Sequence, residues 1–323
     1  MLMLRGMRGA PLLLLLALAG GPLWAQNSGT MLALDSPVYR YMEILYSQAG
    51  MTAPNTARPW SVGEARRLLE RVRGRVPGEA ARQLAGRVHD ELYERKLLHR
   101  EEHFGFDLNP QVNAEGFYAF RGRTGSANEE AAWIHGYRER LPMLELPLEW
   151  YYGEGLYIIG DFALLEEYEA ARGAYGQSNY SNWVDFGGPK IDGHFPLRSF
   201  LSLGGPWWFV QLGRDQYKWG TGKAENMLVG DTSDFLDALN FKLFSDVFSY
   251  SGIAAVLDPY SFTYSGGQFD SFKQRPYSVF IAHRLEATFW DSLTVGMSEA
   301  LSLVGGDGKD EFLAIRDLNF FYP

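Results

Sequence analysis

Two groups of charged residues in this sequence have types and spacings that could do chemistry. In the first, Arg214, Asp215 and Lys218 come directly before Trp219 and a Gly-x-Gly turn. Such charged groups could hold the carboxylates and hydroxyls of a polysaccharide, while the indole offers a flat surface to a sugar ring. The plainer interpretation is that Arg214 and Asp215 neutralise each other and that the glycines only form a turn.

The second group is His283, Arg284 and Glu286, with Glu299 further along the chain. In an extended strand Arg284 and Glu286 lie on one face, where an ion pair is the expected arrangement, and we count both among the candidate binding residues. No second histidine lies close by in sequence to complete a pair of metal ligands. We therefore expect neither a metal site nor a cofactor.

Nothing in the sequence requires an enzyme. It contains neither a Gly-x-Ser-x-Gly nucleophile turn nor a phosphate-binding Gly-x4-Gly-Lys-Ser/Thr loop, and it has no cysteine to act as a nucleophile. Its 39 acidic residues always provide some pair of carboxylates, so such a pair does not by itself indicate a glycosidase. The net charge of -9 argues against a nucleic-acid partner, because phosphate binding relies on a concentrated basic face.

The first 25 residues have the features of a secretory signal peptide. Arg5 and Arg8 precede an apolar run from Pro11 to Gly20, and Ala25 provides a small residue at the end. An uncleaved anchor is the alternative interpretation, but glycine and proline interrupt the run. Beyond this segment no stretch reaches the roughly 18 consecutive apolar residues of a membrane-spanning helix. We therefore expect an exported chain without such a helix.

Residues 26–114 contain helix-start signals and amphipathic patterns. Ser36 before Pro37 suits a helix start, Ser61 with Glu64 forms a capping box, and an amphipathic pattern runs from Gly78 to Glu102. Charges of both signs are interleaved along this region, which favours solvated helix faces over a basic helix lying on a membrane. The sequence predicts three helices in the periplasm.

The spacing of apolar residues changes from a helical to a strand-like pattern near Glu115. Residues 115–323 are expected to form an antiparallel transmembrane β-barrel. In the segment from Ser278 to Trp290, apolar side chains alternate with charged or polar ones, and the tight connection Asp291-Ser292 leads into a second alternating segment from Leu293. Similar segments run over residues 143–152, 155–165, 195–203, 207–217, 238–248 and 250–257. Their length of about ten residues suits tilted strands that cross a bilayer.

A soluble β-sandwich or secreted β-helix would show the same alternation. The placement of aromatic residues favours the barrel, because they fall at or near the ends of the predicted strands, where the interfacial girdles of a barrel lie. These aromatic groups are Trp150-Tyr151-Tyr152, Trp207-Trp208, Trp219, Phe289-Trp290 and Phe320-Phe321-Tyr322.

Two blocks of the sequence resemble the capsule-assembly Wzi family of outer-membrane proteins. The first block lies within residues 198–222 and the second within residues 283–300, with a further match at 317–319, and they occur in the family's order. Their strings are Arg198-Ser199-Phe200, Leu212-Gly213-Arg214-Asp215, Tyr217-Lys218-Trp219-Gly220-Thr221-Gly222, His283-Arg284-Leu285-Glu286, Trp290-Asp291, Ser298-Glu299-Ala300 and Asp317-Leu318-Asn319.

The resemblance implies a barrel of roughly eighteen strands with periplasmic helices. The segments after residue 115 supply only about ten such strands, so we expect the barrel to be incomplete in this chain. The implied function is non-catalytic binding of surface polysaccharide during capsule or exopolysaccharide attachment, with outer-membrane lipid as the other partner. A diffusion porin and an outer-membrane hydrolase without a favoured triad are the alternatives. The glycan, the oligomeric state and the orientation of the loops stay open.

Overall fold

A computed structural model of the chain describes residues 27–94, 97–101, 103–114, 143–166, 181–184, 191–194, 198–222, 226, 228–230, 235–257, 260–265, 268–274 and 278–304. The signal peptide predicted for residues 1–25, the strand predicted to begin at Gly116 and the aromatic residues from Phe320 lie outside these residues. The described part consists of three helices and a large antiparallel sheet. The prediction of a mainly β protein is therefore confirmed.

The helices are α1 Pro37–Gln48, α2 Val62–Arg73 and α3 Gly78–Tyr93. Ser36 and Ser61 cap the first two, because their side-chain oxygens accept hydrogen bonds from backbone amides of the first turn. The apolar sides of the helices pack on one another in one buried cluster. Its members include Val38, Met42, Leu45, Trp60, Ala65, Leu69, Val72, Ala85, Val88 and Leu92. None of the described helices is long and apolar enough to cross a membrane.

The strands, in chain order, are β1 Ala57–Arg58, β2 His99–Arg100, β3 Phe104–Leu108, β4 Gln111–Val112, β5 Leu144–Tyr152, β6 Leu156–Glu166, β7 Ser181–Val184, β8 Ile191–His194, β9 Ser199–Gly204, β10 Trp208–Asp215, β11 Lys218–Trp219, β12 Leu236–Phe244, β13 Phe248–Leu257, β14 Tyr260–Ser265, β15 Gln268–Gln274, β16 Ser278–Phe289 and β17 Leu293–Val304.

Most strands belong to one antiparallel sheet with the order β17-β16-β13-β12-β10-β9-β6-β5-β3-β2. Short strands β4, β7 and β8 extend it, whereas β1 with β11 and β14 with β15 form separate pairs. Within the described residues β17 and β2 do not pair with each other, so the sheet is open there.

The sheet begins earlier than the sequence predicts. The apolar pattern predicts a helix up to Glu102, whereas α3 ends at Tyr93 and β2 and β3 follow it. Strand β3 pairs with β5 over five residue pairs, from Phe104 with Tyr152 onward. These backbone hydrogen bonds outweigh the local helical pattern. The predicted boundary at residue 115 thus falls after the first strands.

The connections at the two ends of the sheet differ in length. Among the described strands, four hairpin turns at one end of the sheet have three residues each, whereas the connections at the opposite end are far longer and include the short strands β7, β8, β11, β14 and β15. The short turns comprise residues 153–155, 205–207, 245–247 and 290–292, and the long connections comprise residues 167–198, 216–235 and 258–277.

All four short turns contact residues 27–94, the helical part of the chain, which comprises the three helices and the segments that join them. The backbone amide of Ser28 donates to the carbonyl of Glu154, and that of Thr52 donates to the carbonyl of Asp291. The Arg67 guanidinium of α2 donates to the carbonyl of Pro206 and to the Asp246 carboxylate. The helices therefore lie at the short-turn end.

The two faces of the sheet differ in chemistry, because alternate residues of a strand lie on opposite faces. The face toward the helices, the inner face, carries buried polar side chains among buried apolar ones such as Phe209 and Ile253. The polar ones include Glu149, Ser202, Gln211, Asn240, Lys242, Ser249, Ser251 and Glu286. The other, outer face carries apolar side chains that are 37% to 70% exposed. They include Val210, Leu212, Leu239, Leu243, Val256, Leu285, Leu293, Val295, Met297 and Leu301.

Candidate functional site: the polar inner face of the sheet

An ion pair between α2 and β12 lies at the helix end of the inner face. The Nζ atom of Lys242 is 2.5 Å from the Oε1 atom of Glu64, and each side chain is 1% exposed. Asn55 also donates to Glu64 at 2.7 Å. Burial raises the pKa of the Glu64 carboxyl, and the Lys242 ammonium opposes that shift. Glu64 is thus held in the interior by a cation and an amide donor.

The capping box predicted at Ser61 and Glu64 is only half formed. Ser61 Oγ accepts a hydrogen bond from the backbone amide of Glu64 at 3.1 Å, as expected for a helix cap. The carboxylate of Glu64, however, points to Lys242 of the sheet rather than back to the amide of Ser61. The residue therefore connects the helical part to the sheet.

Glu286 of β16 holds the segment that precedes α2. It accepts hydrogen bonds from the backbone amide of Thr56 at 3.0 Å and from the Thr56 hydroxyl at 2.6 Å. Arg284 donates to the same carboxylate at 3.0 Å, so the predicted pair between Arg284 and Glu286 is present. Lys242 also donates to the carbonyl of Ala57 at 2.9 Å. Residues 55–58 are consequently fixed against the inner face.

Asp215 lies in a second buried network, at the end of β10. Arg198 donates two hydrogen bonds to its carboxylate, at 2.8 and 3.2 Å, and Gln211 donates another at 2.7 Å. Asn240 of β12 donates in turn to Gln211 at 3.0 Å. The side chain of Asp215 is 3% exposed, so its charge is compensated almost entirely from within the protein.

Arg214 does not pair with Asp215, which corrects the plainer interpretation of the sequence. Neighbouring residues of a strand point to opposite faces, and Arg214 instead makes two hydrogen bonds of 3.0 Å to Asp237 of β12. The register places Gln211 opposite Asn240 and Arg214 opposite Asp237, so Arg214 and Asp215 belong to different networks.

Trp219 is buried rather than presented to solvent. Its strand β11 folds back and pairs with β1, so Trp219 lies opposite Ala57 and Lys218 lies opposite Arg58. The indole is 4% exposed and belongs to an apolar cluster with Tyr217 and Val229. The sugar platform predicted at Trp219 is therefore covered in this structure, while Lys218 is half-buried beside it.

His283 points to the outer face, where its Nε2 atom lies 3.2 Å from the carboxylate of Glu299. In the described part of the chain, the one group with the donor atoms of a metal site is His89, Asp90 and Glu94 on α3, where both carboxylate residues are exposed. No sequence argument pointed to this group. Exposed acidic groups are common without an ion, so it indicates no metal by itself.

A cavity of about 460 Å³ lies between the inner face and the helical part. Glu149 forms part of its wall and accepts hydrogen bonds from the hydroxyls of Tyr151 and Tyr157 at 2.6 and 2.7 Å. Arg198 connects the cavity to the Asp215 network. The other lining residues are Thr30, Met31, Leu32, Ala33, Ser36, Asp90, Glu91, Glu94 and Ile159.

The six sequence-predicted candidates are thus distributed rather than gathered. Arg284 and Glu286 lie together, Asp215 belongs to the second network, and none of the six lines the cavity. Sequence reasoning missed Lys242 and Arg198. Lys242 was detectable, because it and Asn240 alternate with the apolar residues Leu239, Phe241 and Leu243.

Comparisons with protein-family models, with curated proteins and with solved structures gave no significant match. The similarity to the Wzi family therefore stays a hypothesis that rests on the two sequence blocks.

Proposed function

We propose that this chain is an outer-membrane protein whose sheet forms the wall of a β-barrel and which binds surface polysaccharide, without catalysing a reaction. The observation that carries the proposal is the polarity of the sheet. Its outer face exposes rows of leucine and valine, while its inner face buries glutamine, asparagine, lysine and glutamate.

A soluble protein would gain by reversing this arrangement. Full burial of one leucine or valine side chain is worth about 1.5–3 kcal/mol, so rows of exposed ones favour a surrounding apolar solvent. Membrane-spanning strands show the same alternation, with apolar side chains toward lipid and polar side chains toward the interior. Strands β13, β16 and β17 have ten to twelve residues each, which is enough to cross a bilayer at a tilt.

The difference between the two ends of the sheet also supports an outer-membrane location. Bacterial barrels have short turns on the periplasmic side and long loops on the outside. The helices contact the short turns, which would place them in the periplasm. The long connections would then face the cell exterior.

The long connections have a composition that suits carbohydrate binding. Between residues 258 and 277 the sequence alternates aromatic residues with serine, threonine, glutamine and lysine, and residues 167–198 contain six aromatic residues with the polar pairs Ser178-Asn179 and Ser181-Asn182 among them. Aromatic rings can stack on the apolar face of a sugar, and hydroxyl and amide groups can bind its oxygens. Together with the Wzi-like blocks, this composition favours polysaccharide over other extracellular ligands.

A binding protein is favoured over a diffusion porin because the helical part occupies space at the inner face. The Glu64–Lys242 pair and the Thr56–Glu286 hydrogen bonds lie where an open pore would hold water. Planar-bilayer recordings separate the two functions. A silent membrane agrees with polysaccharide binding, whereas steady open-channel steps at modest voltage would favour the porin.

Polysaccharide binding is testable with the chain reconstituted in lipid vesicles and surface polysaccharide extracted from its own source. Replacing Trp183 and Tyr264 in the long connections by alanine should weaken binding about tenfold or more, equivalent to at least about 1.4 kcal/mol. Val247→Ala, in a short turn at the opposite end of the sheet and 58% exposed, is the control and should leave binding unchanged. Absence of binding by the unsubstituted chain would contradict the proposal.

A further inference from the structure

The turn between β16 and β17 has an unusual backbone. Trp290 and Asp291 have φ angles of 52° and 57°, in the left-handed region that glycine and asparagine usually occupy. The amide of Ser292 donates to the carbonyl of Phe289 at 3.2 Å across the turn. For residues other than glycine such a backbone conformation costs of order 1–3 kcal/mol, so neighbouring contacts must stabilise the turn.

Residues in and next to the helices supply those contacts at Asp291. Arg71 donates to one oxygen of its carboxylate and Arg75 to the other. The backbone amide of Thr52 also donates to its carbonyl, at 2.8 Å. Three groups from the helical part thus fix one residue of the turn.

Trp290 projects from this fixed turn into open space. Its side chain is 84% exposed, more than any other large apolar side chain in the described residues. The neighbouring Phe289 ring lies 5.9 Å away, centroid to centroid, and is 45% exposed. The contacts at Asp291 therefore stabilise a strained turn whose Trp290 indole points away from the protein.

Other exposed aromatic side chains lie at the same end of the sheet, beside the short turns. Together with Trp290 they form a row, the aromatic row, whose other members are Phe104, Tyr152, Trp207, Phe248 and Phe289, each 38% to 55% exposed. The amphipathic rings of tryptophan and tyrosine favour the boundary between the hydrocarbon of a bilayer and its headgroups, and aromatic residues in general form girdles at both edges of a barrel's apolar band. The row thus marks a line along which such a boundary would cross the sheet.

We infer that Trp290 anchors the protein at the lipid headgroup boundary and that the Arg71–Asp291–Arg75 contacts position it there, so that the helical part is fixed at a set distance from the bilayer. This inference rests on the proposed membrane location. The occupant is a phospholipid interface, because the exposed row borders the apolar outer face rather than forming a separate patch.

Spin labels test the anchor directly. The chain has no cysteine, so Trp290→Cys, Met297→Cys and Glu79→Cys each create a single labelling site. Met297 lies on the outer face at 70% exposure, and Glu79 lies on the solvent side of α3. In vesicles of phosphatidylethanolamine and phosphatidylglycerol, collisions with oxygen and with a water-soluble nickel complex report the depth of each label.

The inference predicts a label in hydrocarbon at position 297, in water at position 79 and at the headgroup boundary at position 290. The anchor is wrong if the label at 290 is as accessible to nickel as the label at 79, or if another protein surface shields it from both reagents. The membrane location is still supported in either case, provided that the label at 297 lies in hydrocarbon. Water at all three positions would overturn both proposals.

The mobility of the label at 290 tests the positioning role of Arg71 and Arg75. In the Arg71→Gln, Arg75→Gln double variant the label at 290 should become more mobile and its depth distribution broader. The single variant Arg73→Gln, which lies two residues from each of them, should leave the label unchanged. A spectrum at 290 that ignores the double substitution would overturn the positioning role.

Discussion

Glu64 of α2 and Lys242 of β12 face each other at 2.5 Å, with each side chain 1% exposed. One residue belongs to the helical part and the other to the middle of the sheet, so their contact joins the two. The cost of taking both charges out of water is met only while both partners are present.

Removal of one partner should therefore be far more harmful than removal of both. We expect Lys242→Met to lower the free energy of unfolding by about 3–5 kcal/mol, and Glu64→Gln with Lys242→Met together to restore part of that loss. Urea unfolding measures both. Arg73→Met is the control, because its pair with Glu70 is exposed and should contribute less than about 1 kcal/mol. Equal losses for Lys242→Met and the control would contradict the prediction.

The second network predicts a similar sensitivity at Asp215. Asp215→Asn removes the charge that compensates Arg198, whose side chain is 15% exposed, and should lower the free energy of unfolding by about 3–5 kcal/mol. Asp246→Asn breaks a pair with Arg67 that is largely exposed, and should cost no more than about 1 kcal/mol. Thermal unfolding of the two variants side by side checks this difference. The prediction is wrong if they unfold alike.

Gly29 lies where backbone segments approach closely. A Cβ atom there would be 2.0 Å from the carbonyl oxygen of Gly155 and 3.0 Å from the amide nitrogen of Gly204, and neither is a flexible side chain. Gly29→Ala should therefore displace the N-terminal segment and lower stability by about 3 kcal/mol or more. Gly86→Ala in α3 meets nothing within 4 Å and should raise stability by roughly 0.5–1 kcal/mol. Melting temperatures that shift the same way would refute this prediction.

Asp291 predicts a dependence on pH. Hydrogen bonds from Arg75 and Arg71 lower the pKa of its carboxyl below the ordinary value. A pKa that is lower in the folded state means that the contact stabilises above the unfolded pKa and is lost as the pH falls toward the folded one. We expect the contacts between α2 and this turn to be complete at neutral pH and to weaken below about pH 4. Hydrogen exchange at residues 50–56, corrected for the intrinsic rate, should rise over that range.

The control for this pH dependence is Asp291→Asn. Its amide cannot lose a charge, and asparagine tolerates the left-handed backbone, so exchange at residues 50–56 should stay flat as the pH falls. Equal acid sensitivity in the two proteins would assign the effect to another group.

Local features of the fold were predictable from the sequence because their signals are local. Ser36 and Ser61 mark helix starts through hydrogen bonds to amides within the next few residues. The hairpin of β16 and β17 follows from strict alternation on either side of Asp291. The order of polar and apolar residues in β16 also gave the two faces correctly, with Glu286 inward and Leu285 outward.

The candidate site was predictable only in part because its contacts are distant in sequence. Glu286 and Thr56 are separated by 230 residues, and no local pattern connects them. Trp219 resembled an exposed strand-end aromatic, yet β11 turns inward and pairs with β1. Glu64 satisfied a helix-capping pattern, which concealed its partner Lys242 in the sheet. A local pattern names residue types, whereas these roles depend on the register of distant strands.

The sequence distances that separate the helical part from its partners also determine an order of assembly. Asn27 and Gly29 contact residues 126 and 173 positions further along, and Thr56 must wait for Glu286. A chain synthesised from its N-terminus can form the helical core early, and that core can contact earlier strands such as β12 through Lys242, but Thr56 has no Glu286 partner until β16 exists. Protection of the Thr56 backbone amide from hydrogen exchange should therefore appear only when β16 is in place, and it reports the docking of that strand.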